Sequence, residues 1–92
     1  MTRADQTRIP PRGRRATILR AAVDRSLTLS DLVRRVRNID ALRGTDPSID
    51  RIKTGGAVRD MRRHGLLVRT PHGYRTTGAG LDLLRASEDH HA

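Results

Sequence analysis

The chain has 92 residues, a formal net charge of +9, no cysteine and one aromatic residue, Tyr74. This composition excludes disulfides and the usual structural zinc sites, and no apolar run approaches the roughly 20 residues that a membrane span requires. We therefore expect one small cytoplasmic domain with an aliphatic core and, because of its positive charge, a polyanionic partner.

Residues 1–13 are predicted to form a basic, flexible N-terminal arm. They contain two adjacent prolines, a glycine and, after the initial methionine, a single large apolar residue, Ile9. Such a segment has no packed core of its own. Its arginines, together with Arg14 and Arg15, either follow phosphates or enter a minor groove, or else the segment is a solvated tail.

Two helices are predicted next, from apolar residues that recur at helical spacing. The first spans about 14–26, and the second spans about 29–39 or else reaches Leu42. Thr28 as N-cap and Asp31 at the third helical position predict a capping box at the start of the second helix. Three arginines of the second helix lie mostly off its apolar stripe, where they either face solvent or touch phosphates: Arg34, Arg35 and Arg37.

The chain is predicted to break near Thr54-Gly55-Gly56. Asp46 followed by Pro47 is typical of a helix start and indicates a short helix over 47–53. Its two isoleucines face away from the apolar residues that follow the glycines. Each interior glycine also destabilises a helix by about 1 kcal/mol relative to alanine. A separate basic helix over 54–64 is therefore expected, capped by the threonine and with the glycines in its first turn.

A hairpin and a last short helix complete the predicted elements. Period-two stretches over 66–70 and 74–77 are joined by Pro-His-Gly, which predicts a β-hairpin. Leucine spacing predicts a helix over 79–87, followed by a polar tail at 88–92. The predicted fold class is mainly α with a small β-hairpin, that is, α+β.

Three stretches resemble parts of a known superfamily: LTLSDLVRRV, AVRDMRRHGLLVRT and GYRTTGAGLDLL. The first resembles the second helix of winged helix-turn-helix proteins, and the second resembles their recognition helix and first wing strand. The third is similar to the second wing strand and following helix of MarR-type and related regulators. The resemblance covers about 14–87, with one departure, because GTDPSIDRIK is longer than the usual tight turn. It implies a winged helix domain whose recognition helix enters a major groove of DNA while the wing contacts an adjacent groove or the backbone.

The residues of the expected recognition helix support DNA contact independently. With Val58 and Met61 facing the core, Arg59 and Arg63 lie on the opposite face, where they either read guanine edges or hold phosphates. Asp60 is expected to pair with a neighbouring arginine. The predicted DNA-binding residues are Lys53, Thr54, Gly55, Gly56, Arg59, Arg62, Arg63, Arg69, His72 and Arg75.

The predicted wing contributes a short cationic tip. Arg69 and Arg75 flank it and His72 lies on it, an arrangement suited to a minor groove or to phosphates, although an ordinary exposed hairpin has the same composition. Tyr74 either stacks on nucleic acid or packs against the base of the hairpin, and packing is favoured for the only aromatic side chain of the chain.

The predicted function is sequence-specific binding of double-stranded DNA by a small, repressor-like transcriptional regulator of a bacterium, phage or plasmid, associated with the nucleoid. No enzyme signature, cofactor motif or small-molecule site is evident. A homodimer through the last helix, with Leu81 and Leu84 as exposed apolar residues, would suit two DNA half-sites. Two alternatives stay open: an architectural or protein-interaction winged helix module that binds DNA without sequence specificity, and an RNA-binding protein, which the lack of stacking aromatics disfavours.

Overall fold

The computed structural model describes residues 13–39, 44 and 46–91, so most of the predicted arm and the extension to Leu42 lie outside the described residues. The described chain is a small α+β domain, as predicted, and no helix in this part is both long and apolar enough to cross a membrane. Its elements are α1 (Arg14–Ala21), α2 (Leu29–Arg37), α3 (Pro47–Arg63), β1 (Leu67–Thr70), β2 (Gly73–Thr76) and α4 (Gly78–His91).

The core is aliphatic, as the composition predicts. Its buried apolar residues come from all four helices, β1 and the segment after α1: Ala16, Ile18, Leu19, Ala22, Leu27, Leu32, Val36, Val58, Met61, Leu67 and Leu84. Tyr74 is half-buried against this cluster, which confirms that it packs on the domain. It lies opposite Arg69 near the turn, and not at the base of the hairpin as predicted. The prediction that Leu84 is exposed for dimerisation is wrong, because α4 packs against α1 and β2 and leaves this side chain 4% exposed.

The segment after α1 pairs with the hairpin instead of continuing the helix. The carbonyl of Ala22 accepts a hydrogen bond from the Thr76 N–H at 3.0 Å, and Leu27 and Tyr74 exchange two backbone hydrogen bonds of 2.9 and 2.7 Å. These bonds satisfy backbone groups that a longer helix would have used, so α1 ends at Ala21 and the predicted end near residue 26 is wrong. This bridge, which the sequence did not predict, fixes the hairpin on the helices.

The hairpin has the predicted position, but its connection is shorter than the predicted Pro71-His72-Gly73, because Gly73 begins the second strand. Leu67–Thr70 and Gly73–Thr76 pair antiparallel and leave Pro71 and His72 as the turn. Gly73 has a φ of +135°, and a Cβ at this position would collide with the Leu27 backbone. Only glycine meets both requirements of this turn.

The predicted capping box at the start of α2 is confirmed. Thr28 Oγ1 accepts a hydrogen bond from the Asp31 N–H at 3.1 Å, and the Asp31 carboxylate accepts one from the Thr28 N–H at 3.2 Å. Hydrogen bonding with the side chain and then the backbone of Thr28 lowers the pKa of Asp31 below its ordinary value. The helix ends at Arg37 rather than at Ile39, because the last N–H groups bond to carbonyls three residues back and tighten the final turn.

The last helix is longer than the predicted 79–87. At its start, Thr77 Oγ1 accepts a hydrogen bond from the Gly80 N–H at 3.1 Å. The helix runs to His91 because the residues after 87 include no proline or glycine that would stop it.

The predicted break near Thr54-Gly55-Gly56 is wrong, because α3 runs without interruption over Pro47–Arg63. Its predicted start is confirmed, with the Asp46 carboxylate accepting a hydrogen bond from the Ser48 N–H at 2.8 Å. Thr54 therefore lies inside a helix and is not an N-cap.

The helix stays continuous because polar residues extend its buried side. Asp50 and Thr54 are 1% and 0% exposed and lie in line with the buried Val58 and Met61. The two isoleucines face solvent instead of a second core, and Ile52 is 73% exposed. The break was predicted from the apolar residues alone, whereas the buried side of the helix continues through the polar Asp50 and Thr54.

Candidate nucleic-acid interface

Two opposite sides of α3 define the candidate site. The outer stripe consists of four exposed residues at helical spacing, within about 60° of one another at 100° per residue: Ile52, Gly56, Arg59 and Arg63. The inner stripe faces the core and consists of Asp50, Thr54, Val58 and Met61. The helix therefore presents one continuous surface to solvent, longer than the predicted 54–64.

The two arginines of the outer stripe are exposed, as their helical positions predict. No acidic side chain in the described part of the chain forms an ion pair with Arg59 or Arg63. The two residues are separated by about 6 Å along the helix axis. Their guanidinium donors remain available to an external acceptor, and the planar fork suits either guanine N7 and O6 or phosphate oxygens.

Asp60 does not pair with an arginine of its own helix, which corrects the prediction of a neighbouring partner. It accepts a hydrogen bond from Arg15 of α1 at 2.9 Å, and His64 Nδ1 lies 3.7 Å from its other carboxylate oxygen. Both partners of the Arg15 pair are partly exposed, so the pair contributes little stability. Arg15 thus belongs to a pair within the domain, and Asp60 does not neutralise the outer stripe.

Two further arginines with predicted phosphate roles contact the buried carboxylate of the inner stripe. Arg14 Nη2 lies 3.4 Å from Asp50 Oδ1, and Arg37 Nη1 lies 3.5 Å from Asp50 Oδ2. A buried carboxylate requires such partners, since burial without them is strongly unfavourable. Arg14 and Arg37 therefore join α1 and α2 to α3, whereas Arg34 and Arg35 are exposed as predicted.

Packing within the domain does not require either of the two adjacent glycines of α3, because alanine would fit at both positions. A Cβ at Gly55 would make an ordinary contact of 3.9 Å with the Leu29 side chain, and one at Gly56 would meet nothing within 4 Å. Each nevertheless destabilises the helix by about 1 kcal/mol relative to alanine. Because the helix is continuous, the kink that the sequence predicted cannot explain them. Their positions leave the helix backbone open to close approach from outside.

An open groove of about 670 Å³ runs beside the outer stripe. Arg51, Arg59 and Arg62 contribute to its lining from α3, while Leu29 and Tyr74 contribute from α2 and β2. The Arg62 guanidinium carbon lies 5.8 Å from the centroid of the Tyr74 ring, which is a cation–π distance. The groove is therefore cationic along one side and apolar at its α2 and β2 end.

Sequence reasoning missed Arg51 and Ile52 as members of this surface. Both were assigned to a separate short helix, where they would have had no fixed relation to Arg59. Extending the helical wheel of Val58 and Met61 back through the buried polar positions would have found them, since Ile52 then falls at about 20° from Arg59.

The hairpin separates its two arginines. In the antiparallel register Arg69 lies opposite Tyr74, while Arg75 lies opposite Val68. Successive residues of a strand point to opposite faces, so Arg69 shares the Tyr74 face and Arg75 is on the other. His72 is exposed in the turn. Of the two arginines, Arg69 is therefore on the face that borders the groove.

Two further residues that were predicted to contact DNA lie away from the outer stripe, Lys53 and Thr54. Lys53 is exposed but lies about 100° around the helix from Ile52. Thr54 is fully buried, and its hydroxyl has no hydrogen-bond partner. The structure thus brings Gly55, Gly56 and the three arginines Arg59, Arg62 and Arg63 together on one side of α3, and it places Lys53, Thr54 and Arg75 elsewhere.

Within residues 13–39, 44 and 46–91, no cluster of three or more histidine, aspartate or glutamate side chains is placed to hold a metal ion. Comparisons of the chain with protein families, with curated proteins and with solved structures found no match.

Proposed function

We propose that this chain is a winged helix-turn-helix protein that binds double-stranded DNA in a sequence-specific manner and acts as a small transcriptional regulator. The observation that carries the proposal is the outer stripe of α3, where Arg59 and Arg63 have no acidic partner among the described residues and Gly56 has no packing role. A chain with a net charge of +9 adds a general attraction to nucleic acid.

The order of the elements supports the winged helix assignment. A bridge residue, Leu27, lies between α1 and α2 and pairs with β2, and α3 leads directly into the hairpin. α2 packs against both α1 and α3. In this arrangement α3 corresponds to the recognition helix and the hairpin to the wing.

The dimensions of α3 suit a major groove. Its 17 residues give a helix of about 25 Å, and a major groove about 12 Å wide admits a helix. In this position Arg59 and Arg63 hydrogen-bond guanine edges through N7 and O6, while the glycines let the helix backbone approach the bases.

The groove beside α3 provides a path for one DNA backbone. Arg51 and Arg62 border it from the helix, and Arg69 lies on the neighbouring face of the hairpin. Contacts of this kind with phosphates fix the orientation of the helix without reading sequence. The wing tip with His72 then lies against an adjacent groove or the backbone.

In this proposal the protein controls transcription by occupying its operator. Two copies on two half-sites would raise the affinity, although Leu84 is buried and cannot supply the apolar contact between them. In this proposal the protein acts in the cytoplasm, at the nucleoid.

The proposal is tested by selecting bound sequences from a random duplex library and then titrating salt against the selected duplex and a scrambled duplex. A specific regulator keeps a preference of about 10³-fold or more for the selected duplex as salt rises. Equal loss of affinity on both duplexes would indicate an architectural protein instead.

Two control ligands sharpen this experiment. Single-stranded and hairpin RNA of the selected sequence should compete far less well than the duplex. Absence of any complex with duplex DNA at low salt would overturn the proposal.

A further inference from the structure

The outer stripe of α3 contains an apolar side chain that the proposed arginine contacts do not use. Ile52 is 73% exposed, compared with 49% for Ile49 and 47% for Val68. It lies at about 20° from Arg59 around the helix axis and two turns before it. An isoleucine here does not stabilise the helix, since a straight-chain polar residue has a higher helix propensity.

The surroundings of Ile52 are cationic. Its neighbours in sequence are Arg51 and Lys53, both exposed, and Arg59 lies on the same stripe. An apolar protein surface that covered Ile52 would have to desolvate these charges without compensation. A duplex does not have this difficulty, because its groove edges lie between two rows of phosphates.

The major groove presents one apolar group, the C5-methyl group of thymine. We infer that Ile52 packs against a thymine methyl group and thereby makes a 5-methylpyrimidine part of the recognised sequence. This inference rests on the proposed function and adds a second kind of base contact to it. The methyl group is read by burial of apolar surface, whereas the arginines read hydrogen-bond acceptors.

The helix geometry fixes the relation between the two contacts. Ile52 and Arg59 are separated by about 10 Å along the axis of α3, and Gly56 lies between them without a side chain. With about 3.4 Å between successive bases, the thymine lies about three base pairs from the guanine that Arg59 contacts. The gap at Gly56 lets both contacts form at once.

Deoxyuridine provides the test, because it differs from thymidine only in lacking the methyl group. Each thymidine of the selected duplex is replaced in turn by deoxyuridine, and the affinity is measured for the wild-type protein and for Ile52→Ala. We expect replacement at one position, about three base pairs from a guanine, to weaken wild-type binding about fourfold, the effect of one buried methyl group. Ile52→Ala should bind the two duplexes equally.

Ile49→Ala is the matched control, since it removes the same side chain from the same helix one turn earlier and should keep the fourfold response. If no replacement affects the wild type, or if Ile52→Ala keeps the full response, the inference is overturned while the selected duplex still supports the proposed function. If the library yields no preferred sequence, the proposed function and this inference fail together. The wild-type measurement does not depend on how any variant folds.

Discussion

The inner and outer stripes of α3 differ in a way that reverses the usual pattern of a surface helix. Asp50 and Thr54 of the inner stripe are buried, although both are polar. Ile52 and Gly56 of the outer stripe are exposed, although neither favours an exposed helical position. In this part of α3 the buried inner stripe is polar, whereas the exposed outer stripe has an apolar side chain or none.

Different requirements explain the two stripes. On the inner stripe, the charge of Asp50 is compensated within the fold by Arg14 and Arg37, which join three helices at one carboxylate. On the outer stripe, nothing in the described structure compensates the exposed isoleucine, the glycine or the arginines. The contacts of Asp50 within the fold therefore account for the polar inner stripe, and the outer stripe is the surface that the proposed function assigns to DNA.

The largest expected effect is a loss of folding stability when the inner stripe is changed. Asp50→Asn removes the buried carboxylate that Arg14 and Arg37 share. Removal of one partner from a buried ion pair destabilises proteins by 3–5 kcal/mol, and because both arginines reach solvent we expect about 3 kcal/mol. Urea denaturation followed by circular dichroism measures the loss.

Asp82→Asn is the matched control, since this aspartate is exposed on α4 and should change the free energy of unfolding by less than about 0.5 kcal/mol. Similar free energies for Asp50→Asn and the wild type would show that the carboxylate does not join the three helices.

The same contrast explains how much the sequence could predict. The hairpin, the capping box of Thr28 and the exposure of Arg59 depend on local spacing and turn chemistry, and the structure has them as predicted. The continuity of α3 depends on the partners of Asp50, which are distant in sequence. The end of α1 likewise depends on backbone bonds to the hairpin. No pattern of apolar residues along the chain contains such contacts.

The next effect is on the arginines of the outer stripe. Arg59→Ala and Arg63→Ala should each reduce the discrimination between selected and scrambled duplexes by about 2 kcal/mol, roughly 30-fold, because a bidentate contact to guanine is lost. Fluorescence anisotropy with both duplexes measures the ratio of the two dissociation constants.

Two other arginines provide the comparison. Arg69→Ala should weaken binding to both duplexes by the same factor, as expected of a phosphate contact, and lower the salt dependence of binding. Arg85→Ala on α4 removes the same charge from an exposed position on another helix and should have the smallest effect. Equal losses for all four variants would mean that the outer stripe does not read bases.

A smaller change in stability is expected at Thr54, the inner-stripe residue whose hydroxyl lacks a hydrogen-bond partner. Thr54 is fully buried and its hydroxyl has no hydrogen-bond partner, so Thr54→Val replaces an unsatisfied polar group by a methyl group of similar size. We expect the free energy of unfolding to rise by about 1 kcal/mol. The affinity for the selected duplex should not change, and a clear loss of affinity would restore the original prediction that Thr54 contacts DNA.

Gly56→Ala is the counterpart of this substitution on the outer stripe. A Cβ at Gly56 meets nothing within 4 Å, so alanine should fit without strain and raise the free energy of unfolding by about 0.5–1 kcal/mol. The same methyl group lies between Ile52 and Arg59, where it would hold the helix away from the bases. We therefore expect the affinity for the selected duplex to fall about fivefold, or about 1 kcal/mol.

The combination of higher stability and weaker binding distinguishes the two stripes, because Thr54→Val gains stability without the loss of affinity. Chemical denaturation and duplex binding of the two variants, measured side by side, test whether only the outer-stripe substitution weakens DNA binding. If Gly56→Ala bound DNA as tightly as the wild type, close approach of the helix backbone would no longer explain the glycine. If it unfolded more readily, α3 would have to depart from a continuous helix at this point, and the contrast between its two stripes would lose its basis.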